Sequence, residues 1–155
     1  MSDHDIWICP ANSKNLQKTI KKTYKGKYLW AMNATRGKSF NELNLGDICL
    51  FGNLIKDGQG FTHMGIVDTK EEIDESEDDW PFKSPSGTHW KHMFTLSLVC
   101  EINISPTKAR ELRGWNGKQG WQSQTKLSDE YKKKFNNYLW ENYPKWRIYL
   151  NRLSY

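Results

Sequence analysis

The stretch Leu43 to Phe51, LNLGDICLF, is where the fold becomes readable. A glycine and an aspartate stand directly before an apolar run. Glycine permits positive φ, and the aspartate side chain can cap a tight turn. Asn44 to Asp47 is therefore expected as a turn and Ile48 to Phe51 as a buried strand. Such an opening is common in β-barrels.

Working outward, Tyr28 to Met32 (YLWAM) reads as a short strand and Asn33 to Lys38 as a polar turn. Ser39 can cap a brief helical turn through Leu43. On the other side, Gly52 to Gly60 is a hairpin-type loop and Phe61 to Asp68 the next strand. Gly65 inside it predicts a bulge or a close approach to the backbone. Trp80 to Phe94 (WPFKSPSGTHWKHMF) is a loop, because Pro81, Pro85 and Gly87 exclude a regular helix or a central strand. It runs into Met93 to Ile104, expected as one long strand.

Earlier in the chain, Asp5 to Cys9 is an apolar strand ending at Pro10. Lys14 to Tyr24 is a helix with Leu16, Ile20 and Tyr24 on one face. Later, Lys108 to Leu112 is a short helix. Ser128-Asp129-Glu130 starts a C-terminal amphipathic helix that Pro144 ends. Strands that do not alternate one for one with helices mean an α+β fold. The form expected is a small, highly bent β-barrel with peripheral helices, a single domain over residues 1–155.

The chain carries a net charge of +5, and the charges are segregated. Lys14 to Lys27 holds no acid, whereas acids gather in Glu71 to Asp79. A basic face set apart from an acidic loop suits a polyanionic partner, nucleic acid above all. With 14 % aromatic residues the chain is not composed like a disordered one. Cys9, Cys49 and Cys100 are expected as small buried hydrophobes in a reducing, intracellular compartment. No apolar run is long enough to span a membrane, and MSDHDIWICP has no apolar h-region, so neither a membrane span nor a signal peptide is expected.

Enzyme motifs for nucleotide, metal and acyl chemistry do not occur. His89 and His92 with Cys100 lack the companions of a zinc site, so no metal is expected. Cys9 with His63 is a nucleophile pair only in composition. No catalytic residue and no cofactor are expected. What remains is aromatic and basic. Trp30 ends a strand, and Trp80 and Trp90 bracket a loop. A pocket of two or three such rings would hold one extruded base, each stacking contact contributing roughly 1–3 kcal/mol. A methyl group on that base adds about 0.8 kcal/mol by burial. The opposite reading is that these indoles are core, as expected for Trp7, Trp140 and Trp146.

The order of these motifs resembles the PUA-like superfamily. It comprises a basic helix from Asn15-Leu16, a strand ending in Trp30, L-x-x-G-D before a strand, Gly65-x-Val67, W-K-x-x-F from Trp90 to Phe94, R-x-L at Arg110 to Leu112, and a GKQGWQSQT segment. Within the superfamily the chain is most similar to the YTH domain, with the EVE domain as near relative, over about residues 5–140. The resemblance implies binding of N6-methyladenine in a cage of Trp30, Trp80 and Trp90. It places Asn15 and the segment Ala11 to Ser13 against the base edge.

Nucleic acid is thus the expected partner, RNA or a base flipped from DNA. Asn12, Ser13, Asn15 and Asn33 would contact the base. Lys14, Lys18, Lys21, Lys22, Arg36, Lys118 and Lys126 would hold phosphates. The alternatives are an EVE-like binder of methylcytosine-type DNA, or a protein-interaction or inhibitor module on the same fold.

Overall fold

The structure is a computed structural model that describes residues 4–11, 13–22, 26–32, 37–53, 59–72, 92–97, 99–113, 124–145 and 147–148. Its elements run β1 (Ile6–Pro10), α1 (Ser13–Ile20), β2 (Tyr28–Met32), α2 (Gly37–Glu42), β3 (Ile48–Asn53), β4 (Gly60–Glu72), β5 (His92–Leu96), β6 (Cys100–Ile104), α3 (Pro106–Arg113), β7 (Thr125–Lys126) and α4 (Asp129–Asn142). The strands form one bent sheet in the order β2-β5-β4-β3-β1-β7, with β6 also on β4. The class is α+β, as expected. Among the described residues the barrel is open, because β2 and β7 are the two ends of that order and are not paired.

The Gly46-Asp47 turn does what its residues predict, and more. Gly46 has φ of 90°. Asp47 is 1 % exposed, and its carboxylate accepts three hydrogen bonds: from the Trp7 indole Nε1 at 2.9 Å, the Asn44 N–H at 2.9 Å and the Asp5 N–H at 3.0 Å. A buried carboxylate is tolerated only when so satisfied. This one ties the turn to β1, which lies parallel to β3 with Ile6 opposite Ile48.

Alternate residues of the central strands feed two cores. Ile6 and Ile8 of β1, with Ile48 and Leu50 of β3, face Phe61, Phe135 and Leu139 under α3 and α4. Trp7, Cys9, Cys49 and Phe51 face the other way, toward Leu16 of α1, Trp30 of β2 and Phe40 of α2. This two-residue period is strand geometry expressed as burial on both faces.

Two expectations are corrected. Met93 to Ile104 is not one strand but two, β5 and β6. Both run antiparallel to β4, β6 along Phe61 to Met64 and β5 along Val67 to Glu72, and the register shifts where β4 bends between Val67 and Thr69. That bend carries β5 away to pair with β2. Trp140 is not core: it is 40 % exposed on α4, with the Arg147 guanidinium 5.6 Å from its ring. Trp7 is core, and Trp146 lies outside the described residues. Gly65 is a close approach, since a Cβ there would press on the Leu96 side chain at 3.2 Å.

Candidate nucleic-acid interface

α1 sits on β2, and two contacts fix its direction. Thr19, 1 % exposed, donates its hydroxyl to the Leu29 carbonyl at 2.7 Å. One turn on, the Lys22 ammonium lies 4.2 Å over the Tyr28 ring. Later helix residues meet earlier strand residues, so α1 runs antiparallel to β2. Its N-terminus therefore points toward Trp30 and Met32. Lys22 has φ of 51°, the left-handed conformation that stops the helix. The helix thus ends before Tyr24, earlier than its periodicity predicts.

At the far end of β2, Met32 pairs with His92, and His92 pairs with Glu72. So β2 and β4 end, and β5 begins, at the same place in the sheet. Trp80, Trp90, Asn33 and Arg36 lie outside the described residues, as do Asn12 and Lys118. Ser13, Lys14 and Asn15 lie in α1.

Trp30 itself is buried, at 3 % exposure, with its ring edge-on to Phe51 at 5.2 Å. The expected cage wall is thus also a member of the core. Neighbouring Ala11 is held to the end of β3 by its N–H, which donates to the Gly52 carbonyl at 2.9 Å.

The expected phosphate contacts separate. Lys21 and Lys22 are exposed and Lys18 is half-buried, all at the C-terminal end of α1. Lys126 lies apart on β7, opposite Trp7, with its ammonium 3.8 Å from Glu42.

One feature escapes the motifs. At the start of β2 a groove of about 320 Å³ opens between α1 and β6. Gln17, Ile20 and Lys21 form one wall, and Tyr28, His63 and Glu101 line the rest. His63 and Glu101 are cross-strand partners on β4 and β6. Thr62 Oγ1 sits 2.9 Å from His63 Nδ1. Burial pushes the His63 pKa down, against the opposing pull of the Glu101 carboxylate. The available signal was the polar pair Thr62-His63 between the apolar residues Phe61 and Met64 of one strand.

The register also separates the pairs that composition suggested. Phe51 stands between Cys9 and His63 on successive strands, so those two are not a nucleophile pair. Cys9 and Cys49 are buried side by side, and burial pushes the Cys49 thiol well up. Cys100 is only half-buried, at the groove. Among the described residues no three His, Cys, Asp or Glu side chains are grouped to hold a metal ion, and no helix is long and apolar enough to cross a membrane.

No family model matches the chain. No curated protein matches it either. Solved structures share its fold. The N-terminal domain of Thermococcus gammatolerans McrB bound to m5C DNA aligns at TM-score 0.65 and 16 % identity, over 89 % of this chain and 98 % of that one. A serine-to-alanine mutant of the ASCH protein of Zymomonas mobilis aligns at 0.63 and 13 % identity, over 89 % and 99 %. The YTH domain of Zygosaccharomyces rouxii MRB1 in complex with N6-methyladenosine RNA aligns at 0.52 and 12 % identity, over 88 % and 86 %. The bent sheet with its peripheral helices is therefore the fold that these structures share.

Proposed function

We propose that this chain is a nucleic-acid-binding reader of a methylated base, acting without catalysis. The observation that carries the reading is the shared fold: it spans most of this chain and of two proteins whose structures hold m5C DNA and N6-methyladenosine RNA. The local arrangement supports it. The start of α1 points toward the Met32 end of β2, where β4 also ends and β5 begins, and Trp30 lies two residues before that end. Trp30 would be the fixed wall of the slot, with Trp80 and Trp90 as its partners and Asn12, Ser13, Asn15 and Asn33 on the base edge. Because the Trp30 ring is covered, the entering base displaces side chains resting on it, and that cost is set against stacking. Lys14, Lys18, Lys21 and Lys22 would track the backbone.

N6-methyladenine in RNA is the ligand that the motif order favours. A methylcytosine in DNA is the second reading, favoured by the higher TM-score of the m5C DNA complex, 0.65 against 0.52. The test is a titration of one oligonucleotide sequence in four forms: RNA with and without N6-methyladenine, and DNA with and without 5-methylcytosine. Burial of the methyl alone predicts a preference of roughly fourfold for one methylated form. Equal affinities across each pair, or no binding, overturn the proposal.

A further inference from the structure

The groove beside Tyr28 has no part in the slot at Trp30, yet the two share a strand. Tyr28 and Trp30 are two residues apart, so they lie on the same face of β2, separated by about 6.6 Å along it. The groove's volume, about 320 Å³, falls in the range of clefts that hold small organic groups, roughly 300–1,000 Å³. Its chemistry is mixed in an ordered way. Lys21 stands on the rim, next to Lys22 and in the basic end of α1. The groove is also lined by the amide of Gln17 and the carboxylate of Glu101, both exposed, and by the half-buried imidazole of His63.

The carboxylate decides what can enter. Glu101 repels a phosphate, so any phosphate stays at the rim with Lys21. A ligand group beside Glu101 must donate a hydrogen bond. Exocyclic amines of bases do so, and a carboxylate accepting from the cytosine N4 amine is an established pairing. The O4 of uracil or thymine would instead set one acceptor against another. Beyond Glu101 a second cavity of about 550 Å³ shares Val99, Cys100 and Glu101 and adds Lys145, so a cation stands on either side of the carboxylate.

We infer that this groove is a second nucleotide subsite. It takes an unmodified base bearing an exocyclic amine, a near neighbour in the strand of the methylated base. The amine donates to Glu101, and the backbone passes Lys21 on one side and Lys145 on the other. The inference rests on the reader proposal, and it adds sequence preference outside the methylated position.

The experiment uses the methylated oligonucleotide that the wild-type chain binds best. The positions up to two nucleotides on either side of the methylated base are changed one at a time from cytosine to uracil, or to thymine in DNA. One such position should cost roughly three- to tenfold in affinity, the worth of one net hydrogen bond. Glu101→Gln should flatten that ratio, because an amide can donate to O4 as readily as it accepts from N4. Lys21→Gln should weaken both oligonucleotides and lower the salt slope by about 0.7–0.9. Glu101 and Lys21 are both exposed, so neither change threatens folding. A wild type that prefers the methyl group but is indifferent to every flanking base overturns the subsite alone. So does a flanking preference that survives Glu101→Gln. A wild type indifferent to the methyl group overturns the reader proposal and the subsite together.

Discussion

The two ends of the α1–β2 pair are built from the same helix and the same strand, yet they differ in kind. At one end Trp30 is sealed against Phe51, with Leu16 of α1 in the same core. At the other, Tyr28 is half-buried, capped by a lysine, and opens onto a polar groove. The cause lies in the strands opposite. Trp30 pairs with Phe94 and touches Phe51, both wholly buried. The Tyr28 end adjoins the break between β5 and β6, where Val99, Cys100 and Glu101 are not fully covered. The same aromatic chemistry thus becomes core or groove lining according to whether the partner sheet is continuous.

The largest expected effect is at the sealed end. Trp30→Ala should destabilise the fold by about 3–5 kcal/mol, the usual cost of a buried tryptophan truncation. Denaturant unfolding measures it. A change near zero would mean that the indole is not in the core, and the contrast between the two ends would disappear. For the same reason base recognition is better probed with Trp30→Phe, which keeps a ring in place. A smaller effect is expected at the joint between the ends. Thr19→Val removes the hydroxyl that fixes α1 on β2 and leaves the Leu29 carbonyl without that donor, at a cost of about 1–2 kcal/mol. If unfolding is unaffected, the helix direction depends on packing alone.

These contrasts were unevenly legible in the sequence. The Gly46-Asp47 turn was readable because glycine and aspartate carry local backbone chemistry. Its three-bond clamp on β1 was not, since Asp5 and Trp7 are far away in the chain. Strand β2 and the start of α1 were readable from composition and period. The division of Met93 to Ile104 was not, because both halves are apolar and the break is imposed by the bend of β4. The burial of Trp30 against Phe51 could not be read: the indole was expected at a strand end, whereas it sits in the middle of β2, and in sequence it looks the same whether it is packed or presented. The groove was invisible for a related reason: Gln17, Tyr28, His63 and Glu101 come from four separate elements, with no spacing to announce them.

The smallest expected effect sharpens the open end. Burial holds the His63 pKa below its ordinary value of 6.5, and Glu101 only partly opposes this. The unfolded chain therefore binds this proton more readily than the folded one. Stability from this group is unchanged well above the ordinary histidine pKa, where both states are neutral. It falls as the pH drops through the ordinary histidine range toward the lowered folded value. His63→Gln should remove that loss, so the mutant should hold its melting temperature better than the wild type between pH 7 and pH 5. The difference belongs at the small end of single-site effects, within about 0.5 kcal/mol. Glu101→Gln should act in the opposite sense, because removing the carboxylate lowers the His63 pKa further and steepens the acid loss. If the two substitutions shift the acid limb in the same direction, His63 and Glu101 do not face each other across the groove, and the polarity that sets this end apart from Trp30 has another source.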